Sequence, residues 1–486
     1  MRVMKKISAF GSIVQERPLL FIVVGSLLVR LLYLLLDWPL WWDSHVYIGM
    51  GKYIFSQGGS GIWEVYRPLL HPIMLGGLWK VGFNPFIMGK ILDVLFSTIS
   101  IYLVYLIGKK IFDEKIGLVG AFIFSIDAMF ITITGLILAD PLALFFGLLG
   151  VLFFLKEDCR WAGLGSGVCL AFSFLTRFPY GIWFGSMLII LALQKEGARS
   201  KIKKGLFLCL GFFIPVGAFL YFNYLRYGDP LLPLTTGSWI ITTATWLYGS
   251  GIFFYFKEFF LANPVYLFFF PSVYFFFKER LWKENGEGVV FIVPLLTLLY
   301  FLYVPRKEVR YLLVALPFFA LTAAYGLRFT LYWLKNKTKP IILSRAFVVI
   351  CAILILLPVP TTLNIERVPI FTENIKVAIT QYNVTGLVLS SSPAYVSFLD
   401  HPLATLDGMT FAPERYGMFQ GRYAILFVND CDLICSVTDG ECNERRERLL
   451  GKIEKENKRI FRETYIFEDA SLKCRYSMYL PMKVRK

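Results

Sequence analysis

Apolar runs of 18 or more residues recur along this chain, each separated from the next by a polar or basic segment. A helix of that length crosses about 30 Å of hydrocarbon, where every backbone N–H and C=O must be satisfied within the fold. The pattern therefore predicts a polytopic α-helical membrane protein. With 57% hydrophobic and 17% charged residues, a chain of 486 residues is too apolar to be a soluble enzyme. The N-terminal run in MRVMKKISAFGSIVQERPLLFIVVG follows basic residues but has no small-residue cleavage site, so it reads as a retained span and not a signal peptide.

About eleven spans are expected, starting near Leu19, Phe86, Ile116, Pro141, Trp161, Tyr180, Gly205, Phe259, Val289, Tyr311 and Ile341. The segments MRVMKK, GKKIFDEK, KEDCR, QKEGARSKIKK, FKERLWKENGEG and LKNKTK hold about twenty Lys and Arg, against about nine on the other side, which makes them cytoplasmic. This sidedness accounts for the net charge of +16 without a nucleic-acid partner. An odd number of spans places the loop 37–85 and the C-terminal tail outside. Within that loop HVYIGMGKYIFSQ reads as an amphipathic piece lying in the interface plane, and Leu231–Phe256 as an interfacial hairpin, not a twelfth span.

Two domains follow: residues 1–360, the membrane domain to which the outer loop 37–85 contributes, and residues 361–486, a small extracytoplasmic α/β domain of short apolar strands and charged helical pieces. Four cysteines in the tail, Cys431, Cys435, Cys442 and Cys474, predict one or two disulfides, while Cys159, Cys169, Cys209 and Cys351 read as packing residues. Of two sequons, Asn383-Val384-Thr385 falls outside and Asn336-Lys337-Thr338 inside. No internal repeat is evident.

Polar residues near membrane depth are costly and tend to mark function. Asp43 follows the first span and Asp140 opens the fourth, so both carboxylates emerge on the outer face. Arg177, Arg226, Asp229 and the run PRKEVRY, with Arg306, Lys307, Glu308, Arg310 and Tyr311, emerge there too. Lys90 and Asp93 lie one or two turns inside the second span. Simpler readings compete. Arg67 and Lys257 taken alone meet headgroups, Lys307 anchors a span end, and Arg30 snorkels or is internally paired. Asp127 is as readily a structural hydrogen-bonding partner as a reactive group. Trp38, Trp41 and Trp42 form an interfacial belt. Three histidines do not signal a metal site, although a divalent metal is not excluded. Together, carboxylates that can serve as bases and arginines that can stabilise a phosphate leaving group fit sugar transfer from a polyprenyl phosphate to a hydroxyl acceptor. The rivals are a flippase for lipid-linked sugars, which would show repeats and midplane charges, and a non-catalytic cell-envelope assembly protein.

The chain resembles the GT-C superfamily of polytopic glycosyltransferases, in particular the group of dolichyl-phosphate-mannose protein mannosyltransferases and aminoarabinose transferases. The resemblance runs through roughly the first 330 residues: Asp43 with Tyr47, Tyr66-Arg67-Pro68 leading to His71-Pro72, Lys90, Asp140, Asn223 with Arg226-Tyr227-Gly228, and Arg310-Tyr311 running into Leu316-Pro317. It implies inverting transfer with Asp43 as base and Asp140 as a second catalytic carboxylate. On the reading of the residues themselves, Arg310, Arg306, Lys90, Arg177 and Arg226 bind the donor phosphate, and Tyr47, Tyr66, Arg67, His71, Glu308 and Tyr311 position substrate. The resemblance departs at Ser44, where many relatives carry a second acid, and so leaves the acceptor class and any metal open. The tail is unlike the carbohydrate-binding module of eukaryotic relatives, which points to an archaeal or bacterial member.

Overall fold

The computed structural model describes residues 17–36, 40–156, 161–242, 248–278, 286, 288–337, 372–406, 409, 413–436, 439–466 and 473–482. The span expected near Ile341, the domain boundary at 360/361, Asp37, Trp38, Cys159, Cys351, the end of LKNKTK from Thr338, and most of the cytoplasmic MRVMKK, KEDCR and FKERLWKENGEG segments lie outside them. The chain divides into two compact units: Met1–Trp38, Val65–Leu70 and Gly89–Ile365 form one, and Pro39–Glu64, His71–Met88 and Glu366–Lys486 the other. The division differs from the expected one, because most of the first loop joins the C-terminal domain.

The first unit is helical. Helices Pro18–Leu34, Pro85–Ile111, Glu114–Ser125, Ala139–Phe154, Trp161–Thr176, Gly181–Leu193, Ala198–Tyr227, Val289–Tyr303 and Leu316–Lys337 take up most of the expected apolar runs, whereas the run expected from Phe259 is broken into the π-helical Phe256–Leu261, the 3₁₀ turn Pro264–Phe268 and the short helix Phe269–Lys278. Many are bare on one side: Leu206, Leu210, Phe213, Ile214 and Leu225 are all exposed along Ala198–Tyr227. Such a continuous apolar stripe suits lipid and not water. That 30-residue helix ends at Gly228, whose φ of 74° lets its N–H reach the Tyr224 carbonyl at 2.8 Å.

Three membrane-depth expectations resolve locally. The third run is not one helix: Glu114–Ser125 stops and Asp127 caps a second short helix, Ala128–Ile133, by accepting from the Phe130 N–H at 2.9 Å. The Asp127 carboxylate also accepts from the Tyr266 hydroxyl at 2.7 Å, a structural role. Arg30 does not snorkel. Fully buried, it donates to Ser26 and to the Ser125 carbonyl and lies 4.8 Å from the Phe130 ring centroid. In the Leu231–Phe256 stretch, Leu232–Ile240 is a nine-residue helix, about 14 Å long at 1.5 Å per residue and well short of a bilayer.

The second unit is built on a five-stranded sheet in the order β2-β1-β3-β5-β4, with β1 Leu387–Ser390, β2 Leu403–Thr405, β3 Tyr423–Asn429, β4 Asn457–Ile466 and β5 Lys473–Pro481. β1 is parallel to β2 and β3, and β5 is antiparallel to β3 and β4. Alternation along β3 fills both faces: Ile425 and Phe427 join Ile375 of helix Thr372–Gln381, while Leu426 and Val428 join Leu449 and Ile453 of helix Gly440–Glu456. Disulfide Cys431–Cys474 ties the end of β3 to β5, and Cys435–Cys442 closes the approach to helix Gly440–Glu456.

Helix Trp42–Phe55 overturns the interfacial reading of HVYIGMGKYIFSQ. Every residue from Ser44 to Lys52 is buried, so it has no face left for a membrane surface. At Gly51 it meets helix Leu70–Lys80 backbone to backbone; a Cβ there would lie 2.6 Å from the Pro72 carbonyl oxygen and 2.7 Å from the Gly76 nitrogen. The following segment then pairs with the sheet, Gly61 N–H donating to the His401 carbonyl and Leu403 N–H to the Gly61 carbonyl, each at 2.8 Å.

Candidate active site

In the helical unit the polar residues gather where several helices end. Asp140 lies in the first turn of Ala139–Phe154, where a carboxylate complements the helix dipole, and is fully buried. Arg177, which links Trp161–Thr176 to the 3₁₀ turn Phe178–Tyr180, is ion-paired with the Asp140 Oδ2. The turn that delivers Asp140 is strained: Ile137, a β-branched residue, sits at φ 56° beside Gly135 at φ 96°. Asp93 holds it, its Oδ2 accepting from Ile137 N–H at 2.7 Å and Gly135 N–H at 3.2 Å. Asp93 therefore acts on the turn before Asp140, a role that spacing along the second span does not reveal.

The PRKEVRY segment builds the adjoining cluster. Glu308 Oε1 receives the Arg306 Nε at 2.6 Å and the Tyr311 hydroxyl at 3.2 Å, and Glu308 Oε2 lies 4.0 Å from the Arg310 Nε. Arg306 also lies 3.5 Å over the Tyr248 ring, a partner distant in sequence that no local signal identifies. Trp183 Nε1 donates to the Val314 carbonyl at 2.9 Å and so pins the 3₁₀ turn Val309–Val314 that carries Arg310 and Tyr311. Tyr311 lies within the fields of Glu308, Arg306, Arg177 and Arg310, so these residues share one neighbourhood. The side chains of Arg306, Arg310 and Arg177 are 20%, 14% and 11% exposed, which confines three guanidinium groups to a low-dielectric rim.

Lys307 is separate. Its ammonium caps the carbonyls of Phe301, Leu302 and Val304 at 2.6–2.9 Å and anchors the end of helix Val289–Tyr303. Lys90 is half-buried one turn before Asp93 on Pro85–Ile111. Tyr66 and Arg67 are half-buried, with the guanidinium 4.9 Å from the ring centroid. Arg226 is exposed near the end of Ala198–Tyr227 and lies 5.9 Å from the Tyr227 ring centroid. Asn223 is buried and donates to the Pro230 carbonyl at 3.2 Å.

In the second unit, Asp43 occupies the first turn of Trp42–Phe55, half-buried. One turn on, Tyr47 meets the His71 ring edge-on at 5.0 Å. Burial holds the imidazole of His45 down at about 4 and that of His71 at about 3, so both are neutral at physiological pH. Among the described residues no three His, Cys, Asp or Glu side chains gather to hold a metal.

The family model for dolichyl-phosphate-mannose-protein mannosyltransferases matches residues 66–222. Comparison with curated proteins gives no match. Among solved structures, the chain is similar to ArnT from Cupriavidus metallidurans bound to undecaprenyl phosphate, with a TM-score of 0.59 and 11% identity over 94% of this chain and 97% of that one. It is also similar to the archaeal oligosaccharyltransferase AglB from Archaeoglobus fulgidus in complex with an inhibitory peptide and a dolichol-phosphate, with a TM-score of 0.59 and 12% identity over 97% of this chain and 75% of that one. At these identities the likeness is one of fold.

Proposed function

We propose that this chain, which belongs to the GT-C superfamily of membrane glycosyltransferases, transfers a monosaccharide from a polyprenyl-phosphate donor to a hydroxyl acceptor with inversion at the anomeric carbon. The observation that carries the reading is the Arg177–Arg306–Arg310 neighbourhood around Tyr311, in which Arg177 and Arg306 are each held by a carboxylate and Arg310 lies 4.0 Å from Glu308. Guanidinium groups fixed in this way suit the planar, bidentate recognition of a phosphate. The polyprenyl phosphates in the ArnT and AglB structures are ligands of that kind.

In this reading the Asp43 carboxylate takes the proton of the acceptor hydroxyl, whose oxygen forms the new bond to the anomeric carbon. The bond from that carbon to the donor's phosphate oxygen breaks, and the electron pair leaves with the polyprenyl phosphate. The departing charge meets Arg310 and Arg306, with Arg177, Lys90 and Arg226 contributing to the same field. Asp140 sets the direction of Arg177, and Glu308 with Tyr311 sets that of Arg306 and Arg310. Tyr47 and His71 hold the helix that carries Asp43, and Tyr66 with Arg67 positions substrate. The transition state has oxocarbenium character, as in other glycosyl chemistry. Asp43, the arginine cluster and the sheet domain face the outside, a sidedness supported by the basic segments between other helices and by two disulfides, which persist in oxidising compartments.

The test is to incubate the purified protein with a panel of polyprenyl-phosphate sugars and membrane acceptors and to assign the anomeric configuration of the product by NMR. Transfer with inversion supports the reading. Movement of intact donor across vesicles without transfer supports a flippase instead, and transfer with retention removes the single-displacement mechanism.

A further inference from the structure

In open α/β sheets ligands bind beyond the carboxyl ends of the parallel strands, where the strand order reverses. Here β1 lies between β2 and β3, and the segment leaving its carboxyl end, Ser391 to Asp400, is occupied by the chain's own helix Trp42–Phe55. Ser397, 1% exposed, grips that helix twice. Its hydroxyl meets the His45 Nδ1 at 2.7 Å, and its carbonyl accepts from the Lys52 ammonium at 3.0 Å. Lys52 is 3% exposed and also donates to the Leu399 carbonyl at 3.1 Å, the Phe398 carbonyl at 3.4 Å and the Asp400 carboxylate at 2.9 Å. A lysine has three protons to give, and three carbonyls and one carboxylate share them. Downstream, Ile62 enters the same core as Val388, Tyr395 and Phe427.

From this clamp we infer that Lys52 is a positioning residue for transfer, and that the C-terminal domain orients the helix on which Asp43 stands. The inference rests on the reading of Asp43 as base. Asp43 and Lys52 lie about 13 Å apart along one helix, at 1.5 Å per residue, so a tilt released at Lys52 moves the carboxylate. Misplacement by about 1 Å costs up to about 10²-fold in rate. The Asp400 carboxylate, 64% exposed, supplies a countercharge to this buried ammonium.

Lys52→Met is expected to lower kcat roughly 10- to 100-fold with radiolabelled dolichyl-phosphate mannose as donor, leaving the donor KM within about threefold. Lys52→Arg recovers part of the loss. In an Asp43→Asn background Lys52→Met removes almost nothing more, because two changes acting through one group are not additive. Hydrogen exchange supplies a donor-free readout: amides of 42–55 exchange at least about tenfold faster in Lys52→Met, while those of β3 and β5 keep their wild-type rates. If Lys52→Met does not fold, Ser397→Ala, which removes one hydroxyl and keeps the carbonyl, shows the same pattern more weakly. Wild-type kcat in Lys52→Met, an additive loss on top of Asp43→Asn, or faster exchange spread over the whole sheet overturns the inference. Full transfer by Asp43→Asn instead removes the base assignment and leaves the clamp to be judged by exchange.

Discussion

Arg177 neutralises a carboxylate, that of Asp140, which has no exposure to solvent, and among the described residues the second oxygen of Asp140, Oδ1, has no hydrogen-bond partner. Removing one member of a buried ion pair leaves an uncompensated charge, which costs about 3–5 kcal/mol, whereas replacing both with neutral groups of similar shape is often close to neutral. Arg177→Met and Asp140→Asn should each lower the thermal midpoint of the detergent-solubilised protein. The double variant should recover most of the midpoint but not the transfer activity. Additive loss of midpoint in the double variant would contradict the pairing.

Arg310 shares Glu308 with Arg306 and lies in the neighbourhood of Tyr311. Hydrogen bonds to charged groups are worth about 1.5–3 kcal/mol, so Arg310→Ala should weaken binding of dolichyl phosphate by roughly ten- to a hundredfold. Arg310→Lys should recover only part, because lysine keeps the charge and loses the planar fork. Unchanged binding in Arg310→Ala would assign the segment to anchoring alone, as Lys307 already is.

Most helix starts were legible because apolar runs and their punctuation are local properties of the chain, but the run expected from Gly205 begins at Ala198, that from Tyr311 at Leu316, and that from Phe259 gives a helix only at Phe269–Lys278. Docking of Trp42–Phe55 was not legible, because the carbonyls that receive Lys52 come from residues 397 to 399, and periodicity alone cannot separate a helix buried in a domain from one at an interface. The same holds for Asp93: its position inside a span marked it as costly, but its partners are backbone N–H groups of a turn whose left-handed Ile137 no residue pattern announces. Glu308 stands two residues from both Arg306 and Arg310, so a pairing with an arginine was readable from the sequence. The stacking of Arg306 on Tyr248 was not.

Acid should loosen the second unit through its histidines. His71 is held neutral by burial, its value pushed down to about 3, while an exposed imidazole titrates near 6.5. The stability it contributes is complete above about pH 6.5 and is lost as pH falls towards about 3, because the unfolded chain takes up the proton first. His45, pushed down to about 4, acts in the same direction. Between about pH 6.5 and 4, His71→Phe should flatten the fall in stability by up to about 1.4 kcal/mol per pH unit. Parallel curves for wild type and variant would show that His71 is not held neutral.

The disulfides give the sidedness a direct readout. An impermeant thiol reagent applied to intact cells after mild reduction should label Cys431, the more exposed member of its pair, and should not label a cysteine introduced as Arg199→Cys in the basic first turn of helix Ala198–Tyr227. Labelling of the Arg199→Cys site alone would reverse the orientation. Replacing Cys431 and Cys474 with serine should cost the sheet domain roughly 3–4 kcal/mol by the loop-closure estimate for their sequence separation of 43.

Sugar transfer with Asp43 as base is tested by comparing single-turnover transfer from a polyprenyl-phosphate sugar in wild type and Asp43→Asn. Dolichyl-phosphate binding is measured in parallel on the same folded preparations. Asp43→Asn should lose about 10²–10⁴-fold in transfer rate with binding unchanged, since a general base contributes on that scale and does not hold the phosphate. Transfer by Asp43→Asn at the wild-type rate, with binding intact, would contradict Asp43 as base.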